Sequence, residues 1–329
     1  MQKVKQAILF LKLTILLCLC ISSIGNTWAQ IYPNKPIRLV VPQAPGGGSD
    51  TIGRFIAQKL SENLGQQVMV DNKPGAAGML GAEIVKLSPP DGYTILLSAI
   101  DTITAPLVSR HAQFDGVKDF VGITQLAQSP NVIVVGPSFE GNTLKELMLK
   151  AKTNPNSINY ASSGVGGMQH LAGELLNKMA AVEMAHVPYK GGPPAFTDVI
   201  SGRVPVMVSG LQGALPQIKS GKVRALAVTS KKRSPLLPDV PTVGEALGLP
   251  DYEVLNWQGL EFPVGTPQPI VDRIATEVIK ILSQPESREK LSLLGYEPVA
   301  NTPAQFTALM YEEQKRWASI IKAANITAD

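Results

Sequence analysis

Three consecutive glycines, Gly46, Gly47 and Gly48, followed by Ser49 and Asp50, are the residues of this chain best suited to holding a small charged ligand. An apolar run from Ile37 to Val41 precedes them. Apolar residues follow at helical spacing, at Ile52, Phe55, Ile56, Leu60 and Leu64, and stop at Gly65. The order is strand, glycine loop, helix. A helix start has unpaired backbone N–H groups and partial positive charge. Glycines remove the Cβ atoms that would keep a ligand off that backbone. The combination suits a carboxylate or phosphate. The same residues also fit a plain strand-to-helix turn with Ser49 or Asp50 as N-cap.

A second loop repeats the pattern. The strand Ile158–Ala161 runs into Ser162, Ser163, Gly164, Val165, Gly166 and Gly167, and a helix follows with Leu171, Leu175, Leu176 and Met179. Two such loops facing each other across a cleft would grip one anion from both sides. A loop Ser98-Ala99-Ile100-Asp101-Thr102, at the end of a strand Thr94–Ser98, falls on the same strand-end side as the first loop. Ligands in open α/β sheets bind on that side.

Other chemistry is thinly supplied. His111, His170 and His186 have no metal-ligand spacing. His111 reads as an exposed loop residue and His186 as a satisfied strand residue. His170, beside the second loop, reads as a group that bonds loop backbone, with direct ligand contact as the alternative. Ser162 or Ser163 with His170 would mimic a nucleophile and base, but a triad also needs an orienting acid and an oxyanion hole, and no G-x-S-x-G elbow exists. Gly164-Val165-Gly166-Gly167-Met168-Gln169 approaches a dinucleotide fingerprint without its last glycine. Glu183 sits at the wrong end of the next strand to hold a ribose. No cofactor or metal is expected.

Residues 1–29 stand apart. Lys3, Lys5 and Lys12 flank an apolar run, Leu13 to Ile24, which reads as a secretory signal cleaved before Gln30. A membrane span needs about 20 apolar residues, more than this run offers. Both cysteines, Cys18 and Cys20, fall in this segment, so the exported chain would carry no disulfide or thiolate site. Its loss would leave 27 Lys+Arg against 26 Asp+Glu, a net of +1, which gives no sign of a nucleic-acid partner. The 44% apolar content and roughly 300 remaining residues suit two α/β domains.

Elements in chain order support that class. Strands at Val68–Asp71 and Thr94–Ser98 and a helix over 76–87 continue a βαβ pattern. Gly122–Ala127 and Val132–Val135 read as two apolar runs split by Ser129-Pro130, the first crossing into a second domain. Then come a helix at Leu144–Lys152 and strands at Met184–Pro188, Val204–Ser209 and Ala225–Thr229. Helices are read at Ala195–Ile200 and Ala214–Ser220. Lys231, Lys232 and Arg233 read as a solvated loop. Trp257–Pro263 is read as the crossing back, and the rest as helical. The expected domains are 31–127 with 256–329, and 128–255.

Taken together, several segments resemble the Bug family of extracytoplasmic solute receptors, the binding components of tripartite tricarboxylate transporters. They are Tyr32-Pro33-Asn34-Lys35-Pro36-Ile37-Arg38, the PQAPGGGSD loop, and Val70 to Gly78. Pro90-Asp91-Gly92-Tyr93-Thr94, Tyr160 to Leu171, Val187-Pro188-Tyr189-Lys190-Gly191, Ala225 to Thr229 and Gly265-Thr266-Pro267 complete the set. The resemblance covers essentially all of the exported chain.

It implies a two-domain type II periplasmic-binding-protein fold with ligand in the cleft and a periplasmic location. The partners it implies are a small organic carboxylate and membrane permease subunits, with the receptor itself a monomer. Ligand contacts would come from Gly46 to Asp50, Ser98 and Ala99, Ser162 to Gly164, Gly166, Gly167, His170, Tyr189 and Ser209. A ligand-sensing role and an enzyme on the same fold are the rival readings. One departure stands out. Where the family commonly reads V-D-L-M-F-D, this chain has Pro205 and Ser209 in place of the two aspartates. A hydroxyl cannot neutralise an ammonium, so Ser209 favours an organic acid over an amino acid, unless Asp50 or Asp101 substitutes.

Overall fold

The computed structural model describes residues 32–323 and 325–327. The segment read as an export signal, with Cys18 and Cys20, lies outside them. Two units are distinguished, Met1–Asn34 and Lys35–Asp329. Of the first, only 32–34 are described, with a cis Tyr32–Pro33 bond.

Strands β1 (Ile37–Val41), β2 (Val68–Asn72) and β3 (Thr94–Ala99) are parallel, in the order β2-β1-β3. Helices α1 (Gly48–Leu64) and α2 (Met79–Lys86), the latter after a 3-10 turn at Ala76–Gly78, connect them. Helix α3 (Ile100–Val108) follows β3 directly. The next strand, β4 (Phe120–Val135), is 16 residues long. Its first part, to Pro130, pairs antiparallel with β9 (Leu255–Pro263), which also borders β3. From Asn131 onward β4 pairs instead with β7 (Val206–Gly210), and from Val132 also with β8 (Arg224–Val228). Beyond β7 lie β5 (Asn159–Ser162) and β6 (Ala185–Pro188), parallel to each other. A short β10 (Glu297–Pro298) pairs with Ala127 and Gln128.

The remaining helices are α4 (Leu144–Thr153), α5 (Met168–Ala180), α6 (Gly192–Ile200), α7 (Leu211–Lys219) and α8 (Val243–Leu247). They are followed by α9 (Gln268–Ser283), α10 (Pro285–Leu293) and α11 (Pro303–Ala323).

Strand alternation distributes the core. Ile133 and Val135 face one apolar cluster with Tyr160, Leu171 and Val208, while Val132 and Val134 face another with Ala161, Phe196 and Met207. This is the period-two pattern of a sheet covered on both faces. Under β1 and β3, Val40 and Leu96 pack with Ala82, Val85 and Phe120.

Three expectations are corrected here. The two apolar runs around Ser129-Pro130 are one strand, because Pro130 sits where β4 exchanges partners and its missing N–H costs no ladder bond. The residues after Ser98 are not a loop. They start α3, although β-branched Ile100, Thr102, Ile103 and Thr104 and an internal Pro106 are poor helix formers. Burial of Ile100, Ile103 and Val108 overrides that propensity. Finally, the N-cap of α1 is Gly47, not Ser49 or Asp50.

Candidate ligand-binding cleft

Asp50 closes the first loop upon itself. It is the third residue of α1, and one carboxylate oxygen accepts the Gly46 N–H at 2.9 Å and the Arg54 Nε–H at 2.9 Å. The other accepts the Asn72 amide at 2.9 Å. Burial pushes its pKa up, but the Arg54 guanidinium, the Gly46 N–H and Asn72 outweigh that and hold it below the usual range. All its capacity goes to shaping the loop, with Gly46 at φ +82° as the turn requires. Ser49 is buried. The Gly48 and Ser49 N–H groups at the helix start have no partner among the described residues, leaving that helix start open.

Tyr296, after α10, was not singled out in the sequence. A Cβ on Gly48 would lie 2.4 Å from its hydroxyl oxygen. The residue is buried. Beyond Tyr296 a crevice of about 690 Å³ opens between Leu211, Leu236, Lys231 to Arg233 and α10. Lys231, Lys232 and Arg233 are exposed as expected, with Arg233 paired to Glu245 at 2.8 Å.

The second loop is shaped by its own side chains. Ser162 is fully buried and shares a 2.7 Å hydrogen bond with His186 Nε2. Its hydroxyl also donates to the Gly164 carbonyl at 3.0 Å. His170 Nδ1 accepts the Gly166 N–H at 3.1 Å, the backbone role expected of it. The two imidazoles stack, centroids 3.7 Å apart. Burial pushes His170 down to about 4, and burial together with the neighbouring His170 pushes His186 down to about 3. Both are neutral. Ser163 donates to the Gln169 amide oxygen at 2.7 Å. Gly166 is at φ +75°, and a Cβ there would lie 2.3 Å from a methyl of Val108, so α3 presses directly on this loop. Ser162 thus pairs with His186 and not with His170, and it is itself fully buried.

The helix start after this loop is occupied from the other side. Asp101, on α3, accepts the Met168 N–H at 3.1 Å through Oδ1. Gly167 caps α5, and a Cβ there would lie 3.8 Å from the same oxygen. Burial raises Asp101 to about 6, against the Met168 bond, although solvent still reaches the side chain. The Gly48 and Ser49 N–H groups at the first helix start are free among the described residues, whereas the Met168 N–H at the second is taken by the protein's own acid.

The other expected residues divide. Ala99 caps α3, its N–H on Thr102 Oγ1 at 3.3 Å. Ser98 is fully buried beside Glu261, whose carboxyl oxygens lack partners and whose pKa burial pushes up to about 8, the Ser98 hydroxyl acting the other way. Ser98 therefore lies behind the cleft. Tyr189 spends its hydroxyl on Asp198 at 2.8 Å. Ser209 is buried and donates to the Gly210 carbonyl at 3.2 Å. A Cβ on Gly210 would lie 3.7 Å from the Asn256 amide nitrogen and 3.8 Å from that of Gln169, so α5, β7 and β9 converge there. Asn256 donates to Asn131 Oδ1 at 2.7 Å, while Asn131 Nδ2, Trp257 Nε1 and Gln258 Oε1 are buried without partners among the described residues. A buried unpaired polar group costs about 1–3 kcal/mol. No group of His, Cys, Asp or Glu among the described residues is arranged to hold a metal ion.

Residues 52–326 match the family model described as the tripartite tricarboxylate transporter family receptor. The chain belongs to this family. A relative from Pseudomonas sp. (strain P51), a UPF0065 protein in the tcbD-tcbE intergenic region, is 38% identical over 96% of this chain and 94% of its own length. Rpa4515 of R. palustris, solved with adipate, is 35% identical, with a TM-score of 0.82 over 90% of this chain and 99% of that one. The periplasmic binding protein BugD is 36% identical, with a TM-score of 0.79 over 90% and 99%. MatC from Rhodopseudomonas palustris, with bound malate, is 32% identical, with a TM-score of 0.78 over 88% and 100%. The fold is that of the two-domain periplasmic binding proteins, and this receptor family is a solute-binding one. Among the described residues no helix is long and apolar enough to cross a membrane.

Proposed function

We propose that this receptor captures a small organic acid between two lobes, 31–127 with 256–329 and 128–255, and hands it to the membrane subunits of a tripartite tricarboxylate-type permease. One observation carries the reading. The α1 start at Gly48 and Ser49 offers unpaired N–H groups where β1 ends, and Asp50 spends its charge stiffening the loop around them. The adipate and malate held by two related structures supply the chemistry that fits such a site. Closure is a hinge motion about β4 and β9 near the Pro130–Asn131 partner exchange. Residues 1–29 direct export, and the receptor acts as a monomer, without metal or cofactor.

Mass spectrometry of small molecules released from the purified protein tests the reading, together with a thermal-shift screen of organic acids, since binding to the native state raises its stability. Release of a carboxylate and a shift with that compound support it. A protein that releases none and shifts with none refutes it. Loss of uptake of that acid in cells lacking the receptor separates transport from sensing.

A further inference from the structure

We infer that Asp101 is a specificity-determining residue: it requires the captured acid to carry a hydrogen-bond donor, a hydroxyl or an ammonium, on the side that faces α5. This rests on the proposed capture of an organic acid in the same cleft. The polar lining is asymmetric. Donors come from the unpaired N–H groups at the start of α1, and a Gln169 amide nitrogen lies 3.8 Å from where a Gly210 Cβ would stand. The Gln169 amide oxygen is already taken by Ser163, which leaves its nitrogen as the free end. The acceptor is Asp101. Its Oδ1 takes the Met168 N–H, and its Oδ2 has no partner among the described residues.

Asp50, the other acid near the loops, is spent on Gly46, Arg54 and Asn72. Of the two acids beside these loops, Asp101 is therefore the one with an oxygen to spare. The Asp101 carboxyl also takes up the first free N–H of α5, where a second ligand carboxylate would otherwise bind. A carboxylate placed there meets a like charge. A ligand hydroxyl or ammonium meets an acceptor, and a hydrogen bond to a charged group is among the stronger ones. Burial of most of Asp101 strengthens both effects.

The test compares dissociation constants by calorimetry for matched three- to six-carbon mono- and dicarboxylic acids, each as the unsubstituted, 2-hydroxy and 2-amino form. The hydroxy and amino arms separate the two donors. The wild-type receptor is expected to bind at least one donor-bearing form about tenfold or more tighter than its unsubstituted parent. Asp101→Asn, whose amide oxygen can still accept the Met168 N–H, is expected to tighten the unsubstituted acid and to lose preference for an amine. Asp101→Ser, too short to bridge, should abolish the preference for both donors. Binding of unsubstituted acids with no preference, or a preference that survives both substitutions, overturns the role of Asp101 and leaves the capture of organic acids standing. Failure of every acid to bind overturns both.

Discussion

The Tyr296 hydroxyl occupies the space that a side chain at Gly48 would need, 2.4 Å from an ideal Cβ. Glycine at this position therefore answers to the protein as well as to a ligand. Gly48→Val should drive Tyr296 out and bring branched carbons over the open N–H groups. Binding of the captured acid is expected to weaken at least a hundredfold, about 2.7 kcal/mol or more, by calorimetry. Adding Tyr296→Ala should recover thermal stability but not affinity. Wild-type affinity in Gly48→Val would remove this loop from the site.

The stacked pair His170 and His186 sets an acid limit. Both fold with pKa values, about 4 and about 3, below the ordinary 6.5. Between those values the unfolded chain binds more protons, so stability rises with pH there. Their contribution is complete above about pH 6.5 and is lost as pH falls toward 4. Urea midpoints should therefore drop steeply between pH 6.5 and 4.5. His186→Gln, which keeps a partner for Ser162, should flatten that slope. An unchanged slope would mean the imidazoles protonate without cost.

Glu261 works in the opposite direction. Its carboxyl is fully buried, with only the Ser98 hydroxyl beside it among the described residues, and its folded pKa lies near 8 against about 4.5 unfolded. The native state keeps its proton longer, so stability is greatest below about pH 4.5 and declines as pH rises through 8. Glu261→Gln is expected to raise stability at pH 8 by on the order of 2 kcal/mol or more relative to its effect at pH 5. Equal effects at both pH values would show that Glu261 finds a partner.

Binding should be indifferent to metal. None of the three histidines joins an acid or cysteine cluster among the described residues, and the open helix start needs no cation to hold a carboxylate. A chelator should leave the dissociation constant unchanged. Loss of affinity restored by calcium or zinc would contradict this.

Much of the frame was legible in the sequence because its signals are local. Gly65 ends α1 in the left-handed conformation, and short apolar runs mark β1, β3 and β7. The loops at Gly46–Ser49 and Ser162–Gly167 were visible for the same reason. What was hidden depends on distant chain segments meeting. Tyr296 reaches Gly48 from 248 positions away, and nothing near either residue signals it. Asp101 was noted as an acid, but its contact with Met168 required α3, a helix whose β-branched sequence argues against it until burial is known. Tyr189 and Ser98 stand at the ends of β6 and β3, where sheet ligands bind, yet one is spent on Asp198 and the other is sealed beside Glu261.

Position 209 offers the last prediction. Ser209 is buried at the end of β7 and donates to the Gly210 carbonyl. An ionised aspartate there can only accept, so Ser209→Asp loses that bond and adds a second acid to a cleft that already holds Asp101. A buried charge without a partner costs several kcal/mol, and a ligand ammonium would relieve it where a carboxylate would add to it. Ser209→Asp is therefore expected to lower thermal stability without ligand. It should weaken a dicarboxylate by about tenfold or more, and shift the ratio of affinities toward the 2-amino analogue of the same length. Because the ratio compares two ligands on one variant, the general loss of stability cancels from it. Calorimetry with succinate and aspartate on wild type and Ser209→Asp makes the measurement, supported by thermal shifts with each. Tighter succinate binding by the variant would show that position 209 does not face the ligand.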